Sequence, residues 1–261
     1  MPKHFSALHF SHYFILYLAI RNIFSMKTIL TFFAIFITGC ASTNNQLAKS
    51  TDVETQLSAQ EVSLNTGYKM LVNGNAVGAI NKHFKELTEQ CEKQYANSQK
   101  QVYAARSQVE TLFYMLKAMS EDKDAIVVSS TCAQSNYFMG YASLDLGQIH
   151  NAERYVKRAL EFSPVNAMYL SELAHIYQVN KDWDNALALY SKAEENASVY
   201  SPDQVKLAEI TRAKRGMGFV LIELGQLDKA KLKFEQCLAL DPNDKNALNE
   251  IQYIESLTTN S

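Results

Sequence analysis

Cysteine and histidine carry the widest chemistry in this chain, and their placement limits what it can do. Cys40 follows Ile37-Thr38-Gly39 at the end of an apolar run, where a thiol can take a thioether-linked lipid and become a new amino terminus. Cys91, Cys132 and Cys237 are the remaining thiols, and any one pairing among them leaves one over. Cys237 occupies a position where alanine fits equally well, so it reads as a packing residue. Cys91 and Cys132 are then the natural pair in an oxidising compartment, the alternative being that both stay reduced. His83, His150 and His175 are widely separated, and the other three histidines lie within the first 25 residues. There is no HExxH, CxxC or GxSxG and no phosphate-cradling glycine loop. We therefore expect no enzyme, no metal site and no cofactor.

The amino terminus states where such chemistry would occur. Met26-Lys27, the apolar run Thr28 to Ile37, and the small residues before Cys40 read as a secretory leader over 26–39. The run is too short to cross a bilayer core, which needs about 20 residues. Ile37-Thr38-Gly39-Cys40 looks like a bacterial lipobox, with Cys40 the acylated first residue and Ala41 in the place that sorts to the outer membrane. The expected location is the outer membrane, lipid-anchored and facing the periplasm. Residues 40–58, rich in Ser, Thr, Asn and Gln after the cysteine, cannot bury a core and read as a flexible tether. Residues 1–25 fit no such scheme and read as an extension from a start called too early, ahead of Met26. An uncleaved anchor over about 10–37 would instead bury Arg21 and Lys27, at roughly 2.5–3.5 kcal/mol each near a helix centre. Residues 1–39 hold three basic and no acidic residues, so the mature chain has 22 basic and 27 acidic side chains, a net charge of −5. That argues against nucleic acid as a partner.

Small residues recur with a 34-residue period. Gly140, Gly147, Ala152, Ala159 and Pro164 occupy frame positions 8, 15, 20, 27 and 32 of the window 133–166. Gly218, Gly225, Ala230, Cys237 and Pro242 occupy the same positions of 211–244, and Ala174, Ala186 and Ala193 mark 167–200. In that middle window Lys181 replaces the turn glycine and Ser198 the proline. Two antiparallel helices approach closely only where small residues meet, glycine takes the left-handed turn, and proline stops the second helix. The pattern resembles the tetratricopeptide repeat (TPR) family over roughly half the chain. The resemblance implies an all-α solenoid of antiparallel helix pairs. A capping helix is expected over 245–257, and the first helix of the last pair should start early, near Asp203 behind Ser201-Pro202, and run to Leu224.

The region 59–132 is expected to be a degenerate helical part. Gly67, Gly74 and Ala79 fall at positions 8, 15 and 20 of a frame starting at 60. Apolar residues then recur in steps of three or four from Val77 to Met119 with no glycine or proline after Ala79. Either one long helix covers 76–119 or two helices break near Asn97-Ser98; the alternation of first and second helices favours one. The next helix is expected from about Asp124, as N-cap, to Leu146.

In TPR proteins the first helices line a concave surface. On that basis Tyr137, Tyr141, Met168, His175, Gln178, Arg212, Arg215 and Phe219 are the expected partner-binding residues. Such a face suits a peptide or a partner helix, with arginine gripping a carboxylate in bidentate fashion. The family's clamp for acidic carboxyl-terminal peptides uses Lys, Asn, Asn, Lys and Arg; here Tyr137, Tyr141, Glu172, Arg212 and Gly216 stand there, and Arg212 alone resembles it. The expected function is an adaptor or scaffold in envelope or pilus-type assembly, attached to the membrane through its lipid. A self-associating structural protein is the alternative.

Overall fold

The computed structural model describes residues 59–259; Cys40, the leader and the tether lie outside them. Helix α1 covers 59–72. Helix α2 runs through Ala76–Ala79, a π-turn at Ile80–Phe84, and Lys85–Tyr95. Then come β1 (Gln101–Ala104), α3 (Gln108–Ser120) and β2 (Ala125–Val128). Six further helices follow: α4 (Thr131–Asp145), α5 (Ile149–Phe162), α6 (Ala167–Val179), α7 (Trp183–Tyr200), α8 (Asp203–Glu223) and α9 (Leu227–Leu240). Helix α10 (Lys245–Thr259) closes the stack.

The small residues set the helix separation. A Cβ added at Gly140 of α4 would lie 2.5 Å from Val156 Cγ2 and 3.0 Å from the Ala152 carbonyl oxygen of α5. Ala152 and Ala159 are completely buried, as are Ala174, Ala186, Ala193 and Ala230 in the following pairs. Gly67 does for α1 what Gly140 does for α4, because a Cβ there would meet Phe84 Cε1 of α2 at 2.6 Å. Residues 59–95 are thus a helix pair of the same kind. Their core, with Leu64, Tyr68, Phe84 and Leu87, continues directly into Phe138, Met139 and Ala142 of α4.

Each turn between paired helices needs one residue with positive φ. Gly74, Gly147 and Gly225 supply it at 79°, 72° and 70°, and Lys181 takes the same conformation at 62°. A side chain there is crowded against the backbone where glycine is not.

The stretch between α2 and α4 departs from the expected helix. The single helix over 76–119 does not exist: α2 ends at Tyr95 and the chain turns at 96–97. The helix expected from Asp124 begins instead at Thr131, and 125–128 is a strand. Val102 to Ala105 step correctly for a helix, but Val102 pairs with Ile126 and Tyr103 with Val127 in a parallel two-stranded sheet. Helix α3 is the crossover between these strands, started by Ser107, whose side chain accepts from Glu110 N. This β-α-β insertion sits between the second helix of one pair and the first helix of the next. It therefore preserves the alternation that a long helix was invoked to explain.

Two devices hold the insertion. Cys91 of α2 and Cys132 of α4 are joined at its base by a disulfide, Cα to Cα 5.6 Å. At its far side Arg106 is clamped between Glu110 (2.8 Å) and Glu209 of α8 (2.5 Å), with all three side chains buried. Ser201 Oγ donates to the same Glu209. Burial opposes charge on Arg106, yet the two carboxylates beside it hold its pKa above the ordinary arginine value.

Two stability outcomes follow. Replacing Cys91 and Cys132 with alanine opens a link of 41 residues separation, worth about 4 kcal/mol by loop closure, and urea unfolding should show a loss of about 2–4 kcal/mol. Without reductant at pH 8 neither cysteine should take up iodoacetamide. Nor should buried Cys237, whose thiol burial pushes up to about 11, so that it stays protonated. Lys181→Gly removes the crowded left-handed turn and should raise stability by about 1 kcal/mol, read as an increase in the thermal midpoint.

Candidate functional site

The first helices α4, α6 and α8 present one face, and its centre is a carboxylate. Helix α6, Ala-Met-Tyr-Leu-Ser-Glu-Leu-Ala-His-Ile-Tyr-Gln-Val, is apolar apart from a few side chains, and Glu172 is its one acid. Glu172 is 1% exposed. Its Oε2 accepts from Arg212 Nη2 of α8 at 2.6 Å, across 40 residues of sequence. Its Oε1 is buried with no hydrogen-bond partner, and the same holds for the neighbouring Ser171 Oγ.

Aromatic rings surround this pair. Tyr137 of α4 stacks on Tyr169 of α6 at 4.9 Å and lies 6.4 Å from Tyr141. Burial drives the Tyr137 phenol far above its ordinary pKa, with the Glu172 carboxylate adding and Arg212 opposing. Tyr141 shifts in the same direction for the same leading reasons. Burial disfavours charge on Arg212, and the adjacent Glu172 more than offsets it. His175 is pushed below the usual histidine range, first by burial, with Glu172 opposing and Arg212 adding to the depression. It is therefore neutral at neutral pH and offers one donor and one acceptor. Tyr190 Oη donates to Gln178 Oε1 at 2.9 Å, fixing that amide at the edge of the cluster.

The structure thus gathers Tyr137, Tyr141, His175, Gln178 and Arg212 around Glu172, with Met168 one turn away on α6. Tyr137 is buried between helices rather than displayed. Arg215 and Phe219 lie farther along α8 and serve the end of the stack. Arg215 pairs with Asp244, whose carboxylate also caps α10 by accepting from Asn246 N and Ala247 N. Phe219 meets Phe234 edge-on at 5.5 Å. Both arginines hold carboxylates of the protein itself. Glu172 and Ser171, at the centre of this cluster, are not in the expected partner-binding set. The visible signal was a lone acid in an apolar helix.

Among the described residues no group of three or more His, Cys, Asp or Glu side chains could hold a metal ion. An open recess bordered by Tyr95, Gln101, Met119, Lys123, Arg158 and Phe162 contains no histidine or cysteine.

Profiles described as tetratricopeptide repeat match residues 133–166 and 165–243. Anaphase-promoting complex subunit 3 of Schizosaccharomyces pombe is 30% identical over 133 residues, which is 50% of this chain but 18% of that protein. The chain thus corresponds to a small part of that relative. Among solved structures, PilF of Pseudomonas aeruginosa superposes with a TM-score of 0.53 at 15% identity, covering 78% of this chain and 70% of that one. The first TPR of Spaghetti (RPAP3), solved with the HSP90 peptide SRMEEVD, gives 0.44 at 23% identity, covering 51% of this chain and 99% of that one. At 15% identity the likeness to PilF is one of fold.

Removing Arg212 should cost stability as well as any binding. Arg212→Ala leaves a buried carboxylate unpaired and is expected to destabilise by about 3–5 kcal/mol in urea unfolding. Adding Glu172→Gln should recover part of that loss, which a double-mutant cycle measures.

Proposed function

Because the chain belongs to the tetratricopeptide repeat family, we propose that it is a protein-binding adaptor whose concave face takes a partner segment presenting hydrogen-bond donors rather than a carboxylate. One observation carries this reading. Arg212 and Arg215 are neutralised by Glu172 and Asp244, while Glu172 Oε1 and Ser171 Oγ are left as acceptors without partners. Both atoms lie beneath the face, so a partner reaches them only as side chains above them move aside; a buried acceptor lacking a donor costs about 1–3 kcal/mol, which an N–H delivered in that way restores. Tyr141 and Met168 are half-buried around this point and give apolar contact area at low entropic cost. A neutral His175 avoids placing a second positive charge where an incoming lysine, arginine or backbone amide would sit.

In this reading the adaptor works in the periplasm, held to the outer membrane by lipid on Cys40, with residues 41–58 as a tether. Support comes from the basic start, short apolar run and small residues before Cys40. An oxidising compartment also suits the bond between Cys91 and Cys132. Envelope or pilus-type assembly is the setting that such an anchored adaptor fits.

Panning the purified chain against a random peptide library tests the binding chemistry. Enriched sequences should carry lysine, arginine or exposed amide donors beside apolar residues, and Tyr141→Ala should weaken their binding at least tenfold. Enrichment of peptides ending in acidic carboxylates would overturn the reading. For the anchor, radiolabelled palmitate should enter the wild-type chain in a Gram-negative host and not the Cys40→Ala variant.

A further inference from the structure

Helix α3 has an apolar face that nothing in the fold covers. Val109, Leu112, Leu116 and Met119 are 52%, 61%, 53% and 72% exposed, and Met115 beside them is exposed too. They follow one another at steps of three and four, so they form a single stripe along the helix. The opposite face is firmly seated: Glu110, Tyr114 and Ala118 are buried, and Phe113 packs on Tyr200 at 4.6 Å. Tyr114 and Tyr103 share a cluster with Val165. Helix α3 therefore lies across the connections that lead from second helices to first helices, near 163–165 and 200–201. Its stripe points away from the stack. At that same edge Val199 and Leu207 are exposed, beside the Tyr200 and Glu209 that the insertion touches.

Residue 59, the first of the described residues, lies at this edge as well. Helix α1 begins at 59 next to the end of α2, where Gln60 Nε2 donates to Gln90 Oε1 at 3.2 Å. The chain passes from the end of α2 into β1 within a few residues. Val62, one turn into α1, is exposed at the same level. Eighteen residues, 41–58, separate Cys40 from residue 59, and a coil of that length has an r.m.s. reach of about 23 Å. A lipid on Cys40 would therefore keep this edge, and not the opposite one, close to the bilayer.

We propose that the stripe of α3 docks flat into the interfacial layer of the phospholipid bilayer to which the chain is tethered. The inference rests on the anchored reading above. Charge near the stripe is small and not positive, since Lys117 and Lys123 share Glu121 and Asp122 and Asp124 bring 117–124 to a net −1, so the contact depends on apolar insertion rather than on anionic headgroups. A second copy fits less well. A helix of 13 residues, about 20 Å long and 10 Å wide, offers a footprint of about 200 Å² per partner, against about 800 Å² in a stable interface. The tether makes a weak contact sufficient, because attachment raises the local concentration of α3 at the membrane. Docking would hold the stack with its helix axes upright on the membrane and its concave face open to the side.

The test uses the chain from Cys40 onward, which contains every described element, joined through Cys40 to a maleimide lipid in phosphatidylcholine vesicles with brominated acyl chains. Trp183, the chain's single tryptophan, starts α7 at the opposite edge and reports on that edge without modification. Leu116→Trp in a Trp183→Phe background reports on α3. Brominated lipid should reduce the α3 emission at least twofold and leave that of Trp183 unchanged. Adding Leu112→Glu and Met119→Glu should abolish the quenching with the circular dichroism spectrum unaltered. Equal quenching at the two positions would overturn the proposal. So would a blue shift that grows with protein concentration in the absence of vesicles while light scattering reports a dimer, which would assign the stripe to a second copy. Since the lipid is attached chemically, a negative result counts against α3 alone, whereas absent palmitate labelling counts against the anchor alone.

Discussion

Close approach of paired helices is the constraint on which the rest depends. Where Gly140 faces Ala152 and Val156, there is no room for one more carbon without displacing backbone. That contact fixes the separation of α4 and α5, and its counterparts at Gly67 and Gly218 fix α1 on α2 and α8 on α9. Uniform separation lets successive pairs stack in register. Register in turn brings side chains 40 residues apart, such as Glu172 and Arg212, to hydrogen-bonding distance. Interiors packed this closely transmit small changes, so the groove cannot be altered independently of the pairs that build it.

Buried charge is the second organising element, and it has two uses. Arg106 with Glu110 and Glu209 fastens the β-α-β insertion to a helix about a hundred residues away. Arg212 with Glu172, and Arg215 with Asp244, consume the positive charge of the concave face. Each pair removes ions from water, which is seldom a net gain in stability over an apolar alternative. Their value here is geometric: each specifies which elements meet and in what orientation. A consequence is that the guanidinium groups of Arg212 and Arg215 are paired within the protein, while one Glu172 oxygen stays buried beneath the face without a donor.

The insertion changes the shape of a solenoid edge that is otherwise a row of short connections. Its sheet and helix are small, and they depend on the disulfide at one side and the arginine clamp at the other. Its inner face completes a core with Val165 and Tyr200, and its outer face leaves five apolar side chains in solvent. The two faces divide structure from proposed function within a single helix.

Much of the solenoid was legible in the chain because its cause is local. Glycine, alanine and proline at a 34-residue period announce the turns, contacts and stops of helix pairs. Helix α8 does start early, at Asp203, although Pro202 rather than Ser201 is its N-cap and Ser201 Oγ donates to Glu209 instead, and the positive φ of Lys181 stands where glycine does in the neighbouring repeats. The strands were not legible. Four residues such as Gln101-Val-Tyr-Ala satisfy helical and extended spacing alike, and only pairing with Ala125-Ile-Val-Val, 24 positions on, selects the strand. The groove divides in the same way. Which residues occupy the first helices could be read from their frame positions. That Arg212 and Arg215 are already spent on internal carboxylates, and that Glu172 keeps one oxygen unsatisfied, was decided by packing. The reason is that partners distant in sequence leave no periodic trace: sequence spacing encodes what neighbours along one helix do, and tertiary structure alone says which charge meets which.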